Sequence, residues 1–150
     1  MASDSTVFVD TNVLLYSIDA RDPVKREAAC AWIVHCWREE RGRISTQVMN
    51  ELYANLRRIA PNYERGAARQ LVTRYRAWTP WIVDDSTIDL AWQLEDRVAI
   101  GYWDALMVAA AQQQACSYFL TEDLSHGQKI DDLQIVNPFR INPSSLETSS

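Results

Sequence analysis

The chain has 150 residues, which reads as one domain spanning 1–150 with room for a sizeable core. Its apolar content of 47% against 23% charged residues fits a globular protein, and no apolar run nears the roughly 20 residues that cross a bilayer. A net charge of −5 speaks against a broadly basic binding surface, but it leaves room for acids gathered around a metal ion.

The first residues, Met1-Ala2-Ser3-Asp4-Ser5, lack the basic and apolar regions of a signal peptide. Cys30, Cys36 and Cys116 are odd in number and lack metal-ligand spacing, so free thiols in a reducing cytoplasm are expected. Val7-Phe8-Val9 is a run of β-formers that reads as a buried strand. It breaks off at Asp10-Thr11-Asn12, and a short apolar helix follows. Asp22-Pro23 is a good helix start, with Asp as N-cap and Pro in the first turn. The helix Val24 to Arg38 that follows turns Ala28, Ala31, Trp32, Cys36 and Trp37 inward and ends at Gly42.

Arg43-Ile44-Ser45-Thr46 is a brief strand leading to a polar cap. The next helix has Val48, Met49, Leu52, Leu56 and Ile59 inward, and Pro61-Asn62 breaks it. Tyr63 to Trp78 reads as another helix, with Leu71, Val72 and Tyr75 as core residues. Trp81-Ile82-Val83 reads as a third strand. Ser86 caps a helix over 87–98, in which Asp89 suits the positive end of the helix dipole. Gly101 precedes a helix from Tyr102 to about Gln114. Ser117 to Leu120 and Leu133 to Val136 complete the strands, and the polar tail from Pro143 to Ser150 reads as loose. Strands alternating with helices call for a mostly parallel sheet of about five strands, covered on both faces.

Asp10, Glu51, Asp104 and Asp123 each lie near a strand's carboxyl end or a helix's amino end. In a parallel α/β layout those ends share one side, where ligand crevices form. Taken singly, Asp10 is a helix N-cap, Asp104 a dipole partner, Glu51 a solvated helix residue and Asp123 a turn residue. Together, with no lysine or arginine among them, they would repel unless a hard divalent cation sat between them. Such a site suits metal-assisted phosphodiester hydrolysis. Neither His35 nor His126 stands in a paired arrangement that suggests a covalent nucleophile.

At these places the sequence resembles the PIN-domain family. The matching segments are Val9-Asp10-Thr11-Asn12, Ser45 to Leu52 around Glu51, Trp103-Asp104-Ala105-Leu106, and Leu120-Thr121-Glu122-Asp123-Leu124. The resemblance spans about residues 6 to 139. It implies a PIN-like three-layer fold and a ribonuclease dependent on Mg2+ or Mn2+. In its short length the chain is similar to VapC-type toxins of type II toxin–antitoxin modules. Carried over by position, Asp10, Glu51, Asp104 and Asp123 become the catalytic and metal-binding acids. Thr11 or Asn12 would orient Asp10, and Thr121 would support Asp123. The stretch Leu124-Ser125-His126-Gly127-Gln128 departs from the commonest toxin pattern, which makes Ser125 a candidate extra ligand.

The implied partners are an RNA substrate, a cognate antitoxin and a second copy of the chain in a homodimer. Trp32, Trp37, Trp78, Trp81, Trp92 and Trp103 offer contact surface, although most are expected in the core. For RNA phosphates, Arg65, Arg69 and Arg76 are spaced to share one side of a helix. Two other classes compete with the nuclease: a catalytically silent PIN-like RNA-binding or interaction module, and a phosphoryl-transfer domain that uses Asp10 as its acceptor. Against the last, position 12 is Asn where haloacid-dehalogenase-type phosphatases want a second Asp.

Overall fold

A computed structural model describes residues 5–147. Its centre is a five-stranded sheet in the order β2-β1-β3-β5-β4. The strands are β1 Val7–Val9, β2 Gly42–Arg43, β3 Tyr118–Leu120, β4 Lys129–Ile130 and β5 Leu133–Val136. β1 runs parallel to β2 and β3, and β3 runs parallel to β5; only the β4–β5 pair is antiparallel. Every residue of β1 is buried, as a central strand covered on both faces requires. Phe8 lies opposite Phe119 in the register, and their rings stack at 5.4 Å.

Among the described residues, seven α-helices accompany the sheet: α1 Thr11–Tyr16, α2 Pro23–Arg38, α3 Thr46–Ile59, α4 Arg65–Arg74, α5 Asp85–Arg97, α6 Tyr102–Gln113 and α7 Ser144–Glu147. α1 packs against α2 and α3, α3 against α4, and α5 against α6. α6 is apolar on nearly every side and is buried from Ala105 through Ala111. The expected α/β fold with a mostly parallel sheet and flanking helices is therefore observed. Among the described residues no helix is long and apolar enough to cross a membrane.

Several elements differ from the sequence expectation. Trp81-Ile82-Val83 is not a strand. Trp81 makes one bridge to Ser45, and Ile82 is 73% exposed. The fifth strand is instead β4, joined to β5 through Asp131-Asp132, with Asp131 in the left-handed region at φ 56°. α2 buries Ala29, Trp32, Ile33 and Cys36, while Ala31 and Trp37 face solvent and Ala28 is half-buried. Its helix stops at Arg38, and Gly42 belongs to β2.

That glycine is required by packing, since a Cβ there would stand 2.6 Å from the Trp78 ring. Asp84, not Ser86, caps α5: its carboxylate accepts from the Thr87 N–H at 3.1 Å, and the helix opens at Asp85. The helix expected from Tyr63 to Trp78 is α4 followed by a 3₁₀ turn, Tyr75–Trp78. In the polar tail a short helix, α7, replaces part of the expected loose stretch, and residues 148–150 lie outside the described residues, as do residues 1–4 of the N-terminal reading. Of the tryptophans, Trp32 and Trp78 are buried, whereas Trp37, Trp92 and Trp103 are exposed. All three cysteines are free.

Candidate active site

Because β1 and β3 are parallel with Val9 opposite Leu120, the residues that follow them leave the sheet on the same side. Those residues are Asp10 and Thr121, both buried. Asp10 is the N-cap of α1; its Oδ1 accepts from the Asn12 N–H at 3.3 Å. The Thr121 hydroxyl donates to Asp10 Oδ2 at 2.8 Å and accepts from the Asp123 N–H at 3.1 Å. Thr121 thus joins the carboxylate after one strand to the turn after its neighbour. Asn12 closes the same loop from α1, donating through Nδ2 to Asp123 Oδ2 at 3.4 Å.

The other two acids arrive on helices. Ser45 caps α3 through its bond from the Val48 N–H, and Glu51 stands on the second turn of that helix. The Thr11 hydroxyl donates to Glu51 Oε1 at 2.7 Å, which ties α3 to the residue beside Asp10. Asp104 is the third residue of α6, whose N-cap, Gly101, offers no side-chain bond and whose first turn carries no other acid.

Electrostatics bind these acids into one group. Burial pushes the Asp10 carboxyl from 3.8 up to about 7; Thr121 and Asn12 oppose the shift, and the charges of Asp123 and Asp104 add to it. Asp104 is also raised, first by burial and then by the charges of Asp123 and Glu51. Among the described residues no ion pair reaches any of the four. The ion pairs among the described residues are Arg21–Asp19, Lys25–Glu122 and Arg97–Asp131.

The donor chemistry fits a hard divalent cation: carboxylate oxygens only, one of them buried and lacking a neutralising partner. Among the described residues, however, no three Asp, Glu, His or Cys side chains stand as a ready-made ligand set. Hydrogen bonds hold Glu51 towards Thr11 and Gln47, and Asp123 is exposed at the rim.

Gln47 is a member that the sequence reading missed. It lies one turn before Glu51, donates to Glu51 Oε2 at 3.3 Å and also to the Trp103 carbonyl at 3.1 Å. The i, i+4 spacing on one helix face was the available signal. Also missed was a brace behind the site, where Lys25 and the Tyr16 hydroxyl both donate to Glu122, at 2.8 Å and 2.6 Å. Ser125 is exposed in the following turn and bonds to none of the four acids. Of the three arginines, Arg65 and Arg69 lie on α4, but Arg76 falls in the 3₁₀ turn beyond its end, so one helix does not carry them all. Arg69 sits over the Tyr53 ring at 5.9 Å.

The fold and this crevice define a class: an α/β domain whose acids gather at the carboxyl ends of parallel strands. The chain belongs to the PIN domain family, whose profile matches residues 7–129. Among solved structures, a toxin–antitoxin complex from Klebsiella pneumoniae is similar at 16% identity and TM-score 0.63, covering 91% of this chain and 100% of its own. FitAcB from Neisseria gonorrhoeae is similar at 16% identity and TM-score 0.64, with the same coverage of 91% and 100%. VapC20 from Mycobacterium tuberculosis, described as a Sarcin-Ricin loop cleaving toxin, matches at 19% identity and TM-score 0.58, over 76% of this chain and 87% of its own. At such identities the likeness concerns the fold. No curated protein matches the chain by sequence.

Proposed function

We propose that this protein is a Mg2+- or Mn2+-dependent endoribonuclease and the toxin of a toxin–antitoxin pair. The observation that carries the reading is the gathering of Asp10, Glu51, Asp104 and Asp123 with no described lysine or arginine paired to any of them; burial first, and then the charges of Asp123 and Asp104, lift Asp10 to about 7. PIN membership supports the same reading, as do similar folds described as toxin–antitoxin complexes and as an RNA-loop-cleaving toxin.

In this reading those four carboxylates hold the metal. The chemistry such an ion supplies is neutralisation of the scissile phosphate and acidification of a water molecule. The chain's own residues do the positioning. Thr121 and the Asn12 N–H fix both oxygens of Asp10, Thr11 aims Glu51, and the Asn12 amide steadies Asp123. Arg65, Arg69 and Arg76 are exposed and, in this reading, meet RNA phosphates. Exposed Val34 and Trp92 offer apolar surface to a second copy or to an antitoxin.

The test is incubation of purified protein with structured RNA in Mg2+, in Mn2+ and in EDTA, beside Asp10→Asn and Asp104→Asn. Cleavage should need metal and fall at least about 100-fold in each variant, the scale of losing one transition-state contact. Cleavage that survives EDTA or both substitutions refutes the reading. That no ligand triple stands preformed among the described residues favours one alternative, a silent RNA-binding module, which predicts RNA binding without cleavage in any metal. A phosphoryl group trapped on Asp10 would instead point to phosphoryl transfer.

A further inference from the structure

Glu51 is held by two neutral donors, one for each oxygen. The Thr11 hydroxyl donates to Oε1 at 2.7 Å, and the Gln47 amide donates to Oε2 at 3.3 Å. Thr11 ties Glu51 to the residue beside Asp10. Gln47 reaches the other way: the same Nε2 donates to the Trp103 carbonyl at 3.1 Å, and Trp103 directly precedes Asp104.

That second bond matters because little else fixes Asp104. Among the described residues no group donates a hydrogen bond to its carboxylate, and α6 begins without a side-chain cap. The place of Asp104 is therefore the place of the first turn of α6. Among the described residues the Gln47–Trp103 bond is the hydrogen bond that joins this turn to α3. Glu51 and Asp104 also stand close enough for the charge of one to raise the other, so they repel across the gap that Gln47 spans.

The chemistry of the amide suits that place. Both of its partners are acceptors, so Nε2 must face them and the amide has one orientation. Being neutral, it holds Glu51 without cancelling the charge that attracts a cation, as a lysine or arginine at position 47 would. Its Oε1 is left buried without a partner, a cost that offsets what the two donated bonds contribute to stability.

We propose that Gln47 is a positioning residue that sets Glu51 against Asp104, so that the spacing of these two acids, and with it the affinity of the crevice for a divalent cation, depends on its amide. The proposal rests on the nuclease reading for the presence of that cation.

The test is calorimetric titration with Mn2+, beside thermal melts in EDTA, on wild type and three variants. Gln47→Met keeps the length of the side chain and removes both bonds. Gln47→Asn keeps an amide but is one methylene too short to span the same two acceptors. Each should weaken Mn2+ about 10-fold, the scale of losing a group that orients a metal ligand, while the EDTA melt stays near that of wild type. Asn50→Ala is the control, since the Asn50 amide donates to the Thr46 carbonyl and to none of the acids; it should bind Mn2+ as wild type does. Wild-type affinity in Gln47→Met and Gln47→Asn overturns the proposal. So does an equal loss in Asn50→Ala, or a loss in both Gln47 variants that comes only with a fall in the EDTA melt. The two readings fail separately. If wild type takes up Mn2+ and cleaves RNA while the Gln47 variants bind Mn2+ normally, the nuclease stands and the positioning role falls. If wild type takes up Mn2+ and never cleaves while the Gln47 variants bind it weakly, the positioning role stands and the nuclease falls. A wild type that takes up no Mn2+ ends both.

Discussion

Two groups of carboxylates in this chain live under opposite rules. Asp19, Glu122 and Asp131 each face a cation: Arg21, Lys25 and Arg97 respectively. Hydrogen bonds from those partners hold Asp19 and Asp131 below the usual carboxylate range. Glu122 would be raised by burial, but Lys25 and Tyr16 outweigh it and hold it low too. Asp10 is raised by burial, against the Thr121 hydroxyl and the Asn12 N–H, and Asp104 by burial and the charges of Asp123 and Glu51. The lesson is that the fold supplies cations to its structural acids and withholds them at the crevice. Asp123 and Glu122 are sequence neighbours, yet Lys25 answers only Glu122. Leaving the crevice acids without a basic partner costs stability.

The contrast can be broken most strongly at Asp10. Its pKa is about 7 folded against 3.8 unfolded, so between those values the folded state holds more protons. Its contribution to stability is therefore full below about pH 4 and lost as pH rises through 7. In metal-free protein at pH 8, Asp10→Asn should be more stable than wild type by up to about 4 kcal/mol. The advantage should vanish near pH 4, as read by urea melts at both pH values. A variant that is destabilised equally at both would show that Asp10 is an ordinary N-cap.

A smaller effect sharpens the other side. Lys25→Met removes the cation that Glu122 enjoys while keeping apolar length over the Tyr16 and Phe139 rings. The pair is partly exposed, so screening limits the expected loss to about 1 kcal/mol in a thermal melt at neutral pH. Its stabilisation should also disappear in acid, as Glu122 protonates below the usual carboxylate range. A loss several times larger would mean that the brace supports the crevice itself.

How much of this was legible in the sequence follows from how local each signal is. Val7–Val9, the Asp22-Pro23 start and the α3 stripe Val48, Leu52 and Leu56 are local patterns, and each appears where it was read. Trp81-Ile82-Val83 has strand composition, but Thr79 takes a left-handed turn at φ 48° before it and Ile82 ends in solvent. Tertiary context decided there, not propensity. A two-residue strand such as β4 shows no periodicity to detect. In the crevice, the places of Asp10, Glu51, Asp104 and Asp123 at strand and helix ends could be read from the chain. The hydroxyl and amide links among them could not, because Thr11 to Glu51 and Thr121 to Asp10 join residues 40 and 111 apart.

The central claim is that these acids jointly hold a divalent ion, and calorimetric titration with Mn2+ at pH 7 tests it most directly. Run in two buffers of different ionisation enthalpy, it should show binding coupled to proton release, because Asp10 near 7 must lose its proton when the ion enters. Asp10→Asn and Asp104→Asn should each weaken binding at least about 10-fold, and the first should abolish the proton release. Wild-type protein that takes up no Mn2+, or variants that bind it as wild type does, would contradict the account.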